Sequence, residues 1–186
     1  MLRFALIASL FATACSDDPL SYSAPVSINL KAKSGDTQNS VVTDEKGITT
    51  ENGNPYGAFV SDAQHALGGN DPAVIDVDQV ELFLGASSTG VTTLGEVFDG
   101  NVDVLFQMND TNNTYPVASR TLDTSTPAGP IVFDIDFPAD EVPDSDYTKL
   151  LSGSFKVVVR GGAATGFESK GADADIQTTF TFAAFE

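Results

Sequence analysis

Apolar side chains recur at every second residue over long stretches of this chain, and that period limits the folds open to it more than any other feature. Val26, Ile28, Leu30 and Ala32 alternate with Ser27, Asn29, Lys31 and Lys33. An extended backbone with that pattern sets one apolar row against a core and one polar row in water. The pattern returns at Val102, Val104, Phe106 and Met108, at Ile131, Phe133, Ile135 and Phe137, at Phe155, Val157 and Val159, and at Ile176, Thr178, Phe180, Phe182 and Ala184. Between Val74 and Leu84 the apolar phase shifts from Ile75 and Val77 to Val80, Leu82 and Leu84. The shift predicts a bulge at Asp78 and Gln79, because one extra residue returns the later side chains to the core. Strands of this kind, separated by loops rich in Gly, Asn, Asp and Pro, predict an all-β fold. They argue for an antiparallel β-sandwich over a parallel sheet with crossover helices.

One stretch, near residues 55–67, reads as a short helix. Asn54 is placed to cap it and Pro55 suits its first position. Tyr56, Phe59, Val60, Ala63 and Leu67 share one face before Gly68 and Gly69 end it. Such a helix would lie across an open edge or end of the sandwich. A helical turn is expected at Ser145 to Leu151, with Tyr147, Leu150 and Leu151 covering a core end. Residues 34–53 allow a small hairpin through Val41, Val42, Ile48 and Thr49, and Asn52 with Gly53 is a turn signal.

The start of the chain is of another kind. Met1, Leu2 and Arg3 precede an apolar run from Phe4 to Phe11, and the small residues Ala12, Thr13 and Ala14 lead into Cys15, the single cysteine. The run is too short for the roughly 20 apolar residues of a membrane span and fits the hydrophobic region of a secretory signal. The arrangement resembles the lipobox of bacterial lipoproteins, with Ala12 where that motif favours Leu. The resemblance implies cleavage between Ala14 and Cys15, diacylglycerol on the Cys15 thiol and acylation of the new amino group. It outweighs the alternative of an ordinary secreted protein with an incidental cysteine, because an odd cysteine in an exported chain is otherwise unexplained. Three acyl chains anchor firmly, each buried methylene contributing about 0.8 kcal/mol. By the sorting pattern of enteric lipoproteins, Ser16 directly after the cysteine favours the outer over the inner membrane. The sandwich body is similar to the immunoglobulin-like and prealbumin-like domains common in bacterial lipoproteins, although alternation alone does not choose between them.

The expected organisation is a signal peptide over 1–14, a lipidated Cys15 with a flexible Ser, Asp and Pro-rich tether to residue 25, and one sandwich domain over 26–186. The 172 residues after the signal suffice for one domain with its own core. Net charge is −17, with 26 acidic side chains against nine Lys and Arg. Phosphate binding requires clustered cations, so nucleic acid is excluded as a partner.

Acidic surfaces often serve solubility alone, but aspartate outnumbers glutamate 19 to 7, and short carboxylates suit calcium. The sharpest calcium candidate is Asp140, Glu141, Asp144 and Asp146, within one loop stiffened by Pro138 and Pro143. A second set, Asp110, Asn112 and Asn113, occupies another loop, and neither matches an EF-hand. The single histidine, His65, stands three residues after Asp62 on the polar face of the helix, which reads as solvated surface. No Gly-x-Ser-x-Gly elbow accompanies it, and one histidine without a free thiol lacks the usual zinc ligands. Gly161, Gly162 and Gly166 follow a strand but precede no helix, so a hairpin loop joining the last two strands suits them better than a phosphate cradle.

No catalytic set emerges. The sequence supports a lipid-anchored cell-envelope protein, periplasmic or surface-facing. Its sandwich would bind or interact with a protein or glycan partner, or serve a structural role. The alternatives are a calcium-dependent adhesion module and a carboxylate-dependent hydrolase acting, for example, on glycans.

Overall fold

The computed structural model describes residues 20–51 and 53–186. The signal segment, Cys15 and tether residues 16–19 lie outside the described residues. The rest forms two antiparallel sheets packed face to face. One holds, in spatial order, β1 (Ser21–Lys33), β9 (Asp173–Phe185), β3 (Val74–Leu84) and β6 (Ile131–Val132). The other holds β2 (Val41–Ile48), β8 (Phe155–Ala163), β4 (Phe98–Met108), β5 (Thr114–Leu122) and β7 (Asp134–Ile135). The all-β, two-sheet architecture matches the expectation from periodicity.

The alternating rows account for the core. Val26, Ile28, Leu30 and Ala32 face inward beside Ile176, Phe180 and Phe182 of β9 and Ile75, Val77, Val80 and Leu82 of β3. Val102, Val104, Phe106 and Met108 answer from the second sheet with Phe155, Val157 and Val159. The β3 to β9 register shifts between Val77 and Gln79, so the bulge inferred from the phase change is present.

Helix α1 (Pro55–Ala66) begins as its sequence signals, with the Asn54 side chain accepting the Tyr56 N–H at 3.0 Å. It plugs one end of the sandwich. Tyr56 meets Phe155 and Phe182 edge-on with ring centroids 5.2 and 5.1 Å apart, and each such pair adds about 0.5–1.5 kcal/mol beyond area burial. The buried Tyr56 hydroxyl donates to the Leu150 carbonyl at 3.0 Å, tying α1 to α2 (Asp144–Ser152). Gly153 then closes α2 at φ 66°, a left-handed cap that other residues adopt at a cost.

Four expectations need correction. Residues 41–49 form no hairpin: Val41–Ile48 is the single strand β2, paired along its length with β8. Residues 21–25 belong to β1, not to a flexible tether: Tyr22 packs against Phe59, and Pro25 is tolerated because β1 is an edge strand paired on one side alone. The stretch from Ile131 to Phe137 is not one strand. Its backbone pairs first with β3, where the Phe133 N–H reaches the Val80 carbonyl. It then pairs with β5, where the Asp136 N–H reaches the Val117 carbonyl. Phe133 is buried at the crossing, while Ile135 turns outward at 38% exposure. Strand β5 escapes the period-two test because Pro116 and a register shift opposite Val104 and Leu105 break its alternation.

The loop after β8 is no hairpin either, since β8 and β9 lie in different sheets. The glycines at its start serve close backbone approach. A Cβ on Gly161 would stand 2.8 Å from Val102 and 2.9 Å from Phe98, and one on Gly162 would strike the Asp99 carbonyl.

Candidate functional site

The outward row of the five-stranded sheet forms an open groove of about 800 Å³. Val41, Leu105 and Val158 make an apolar floor across β2, β4 and β8, with Val158 facing Leu105 in register. Around them stand Thr43, Glu45, Gln107, Thr114 and Arg160, and the turn leading into β2 brings Asp36, Gln38 and Asn39 over one end. The strand period explains the set: residues of odd number on β2, β4 and their even-numbered partners on β8 share one face.

On the outer face of the other sheet, Ser27 bonds Thr179 at 3.0 Å, Gln79 donates to Glu81 at 2.9 Å and Ser87 donates to Asp175 at 2.6 Å, while Asn29 and Gln177, facing each other in register, make no side-chain hydrogen bond among the described residues. In the groove, Glu45 is engaged by Lys156 at 2.6 Å. The side chains of Gln38, Asn39, Thr43, Gln107 and Arg160 make no hydrogen bond or ion pair among the described residues. Arg160 lies in register between Thr43 and Asp103. Amides that both donate and accept, a hydroxyl and a guanidinium fork thus surround an apolar strip. That arrangement suits an extended ligand with its own amide or hydroxyl groups. It provides no nucleophile and base pair.

The carboxylates expected to gather calcium are dispersed. Asp140 and Glu141 sit in a short 3-10 turn, exposed, and Asp144 is exposed at the start of α2. Asp146 alone turns inward. Its Oδ2 accepts from the Asn113 amide at 2.7 Å and the Tyr115 hydroxyl at 2.8 Å, and its Oδ1 from Lys149 Nζ at 3.1 Å, with Thr111 at 3.4 Å. These donors, Asn113 first, hold its carboxyl at about 2, while burial and the facing carboxylate push Tyr115 up to about 12. The two loops singled out by composition do meet here, but through protein donors. Among the described residues no three or more His, Cys, Asp or Glu side chains are grouped to hold a metal ion.

His65 is exposed, and its Nδ1 lies 2.7 Å from the Ser61 carbonyl of its own helix. Cys15 lies outside the described residues. The uncommitted groove was not foreseen. Its signal in the sequence is the apolar residues on the outward phase, Val41, Leu105 and Val158, where solvent-facing side chains are expected.

No family model matches the chain, and no curated protein matches it either. Among the described residues no helix is long and apolar enough to cross a membrane.

Proposed function

We propose that this chain is a lipid-anchored cell-envelope module that binds a partner through the outer face of its five-stranded sheet. The observation that carries the binding reading is the set of unengaged side chains, Gln38, Asn39, Thr43, Gln107 and Arg160, over an apolar floor. Leaving so many polar groups without internal partners costs nothing while water solvates them, and they become specific contacts when a ligand displaces that water. The best-suited ligand is an extended peptide or glycan segment rich in amides and hydroxyls. A glycan would bind here without the aromatic platform that sugar sites often use. The anchoring reading rests on the residues from Phe4 to Cys15, with cell-envelope location, outer membrane by Ser16, following from it.

Two measurements test the two halves separately. Labelling of cells with a radioactive fatty acid should mark the protein and fail to mark its Cys15→Ser variant; equal labelling overturns the anchor. A photo-crosslinking amino acid placed at Gln107 in intact cells should capture a partner that the same probe at Gln177, on the opposite sheet, does not. Identical products at the two positions, or capture unchanged by Arg160→Ala, overturn the groove as the binding face.

A further inference from the structure

The end of the sandwich where the described chain begins carries apolar side chains that the core does not use. Leu20 is 46% and Val74 36% exposed, and Phe185 is half-buried. Register sets Phe185 beside Val74 on the outer face, with Ser21 on its other side, while Leu20, one residue before Ser21, falls on the opposite phase at the same end of the sheet. Backbone bonds from Glu186 N–H to the Leu20 carbonyl and from Ala73 N–H to the Phe185 carbonyl, at 3.1 and 2.8 Å, hold the ends in line. Five residue steps separate Leu20 from Cys15, a reach of at most about 18 Å. If Cys15 is acylated, as proposed above, this end cannot leave the vicinity of the bilayer.

We infer that the strand ends carrying Leu20, Phe185 and Val74 rest in the bilayer interface, so that the domain stands on the membrane by one end of the four-stranded sheet. These side chains lie outside the core cluster, and the length of chain between them and Cys15 selects a lipid surface over a soluble partner as their occupant. Charge narrows the lipid. Asp71, Asp76 and Glu186 lie within three residues of them, so a zwitterionic headgroup layer is favoured over an anionic one. Strand β3 then runs away from the bilayer. Its far end, Leu84, lies roughly 30 Å from Val74, and the groove of the other sheet stays in the aqueous phase.

The acylated full-length protein in phosphatidylcholine vesicles provides the test. With Cys15 acylated, a cysteine introduced by Val74→Cys or Ala86→Cys is the single free thiol, and the two positions bracket β3. A fluorophore at residue 74 should be quenched at least about twofold more than one at residue 86 by lipid carrying a spin label near the headgroup, as interfacial depth requires. Adding Leu20→Ser and Phe185→Ser should reduce quenching at residue 74 to the level at residue 86 while the protein still floats with the vesicles. Equal quenching at the two positions, or quenching at residue 74 that persists in the double variant, overturns the contact and leaves the anchor standing. Protein that does not float with vesicles overturns the anchor and the contact together.

Discussion

Asn113 and Asp146 stand 33 residues apart and meet at 2.7 Å, the side-chain amide of one donating to the carboxylate of the other. This contact joins the β4 to β5 turn to α2. Tyr115 and Lys149 complete a ring of donors around a carboxylate with no exposed side-chain surface. Replacing Asp146 by Ala removes the acceptor shared by four donors and leaves the Lys149 ammonium, 17% exposed, without its charged partner. The expected loss is about 2–3 kcal/mol, or roughly 5–10 °C in Tm for a domain of this size. Lys149→Met should cost less, about 1 kcal/mol, because three neutral donors, Asn113, Tyr115 and Thr111, still satisfy the carboxylate. Thermal denaturation of the two variants checks the order.

The same carboxylate sets part of the acid sensitivity. Its pKa falls from 3.8 to about 2 on folding. The folded state therefore binds fewer protons than the unfolded chain between those values. The stabilisation is fully present above 3.8 and is lost as pH falls toward 2, by roughly 1–2 kcal/mol after allowance for solvent screening near the surface. Glu96 acts in the same direction, held at about 2 by the Lys170 ammonium and by Thr92. Urea unfolding between pH 6 and 2 should give a curve that Asp146→Asn flattens below pH 4. An unchanged slope would remove Asp146 from the account.

Calcium has little to gain at this place, because Lys149 already supplies the positive charge and Asp140, Glu141 and Asp144 point elsewhere into solvent. The melting temperature in millimolar calcium and in excess chelator should agree. A shift of several degrees specific to calcium and abolished by Asp140→Asn would restore a site in the 140–146 loop.

What could be read before the fold was known follows from the range of the interactions involved. Period two at Val26 to Ala32, the phase change at Asp78 and the Asn54–Pro55 helix start are local patterns, and each sits where it was expected. The crossing of Ile131 to Ile135 between sheets was hidden, because its alternation is as regular as that of a one-sheet strand. Only the partners β3 and β5 decide its path. Carboxylate clustering in sequence was misleading for a similar reason. Asp140 to Asp146 share a loop, but the donors that claim Asp146 come from residues 111–115 and from the next helical turn.

Thr178 occupies a position where the pattern asks for an apolar side chain. It is fully buried between Ile28 and Leu82 on the neighbouring strands, and its hydroxyl has no hydrogen-bond partner. Thr178→Val keeps the shape and removes the stranded polar group. Stability should rise by about 1 kcal/mol, a gain of roughly 2–4 °C in Tm. A fall in Tm would mean that the hydroxyl is satisfied in solution.

Asp44 on β2 accepts the backbone N–H of Lys31 on β1 at 2.6 Å, so a side chain from one sheet's edge closes the edge of the other. Burial raises the Asp44 pKa in spite of that bond. The folded state then holds its proton more tightly than the unfolded chain. The contribution of Asp44 to stability is largest below 3.8 and declines as pH rises through the folded pKa. Asp44→Asn retains an acceptor for Lys31 without the charge and should be neutral or stabilising at pH 7. Asp44→Ala leaves that N–H to water and exposes the β1 edge, at a cost of about 1 kcal/mol. Denaturant titrations of both variants at pH 7 and pH 4 test this. If the Asn variant is as damaged as the Ala variant at pH 7, the negative charge itself, and not the accepted hydrogen bond, is what holds the two edges together.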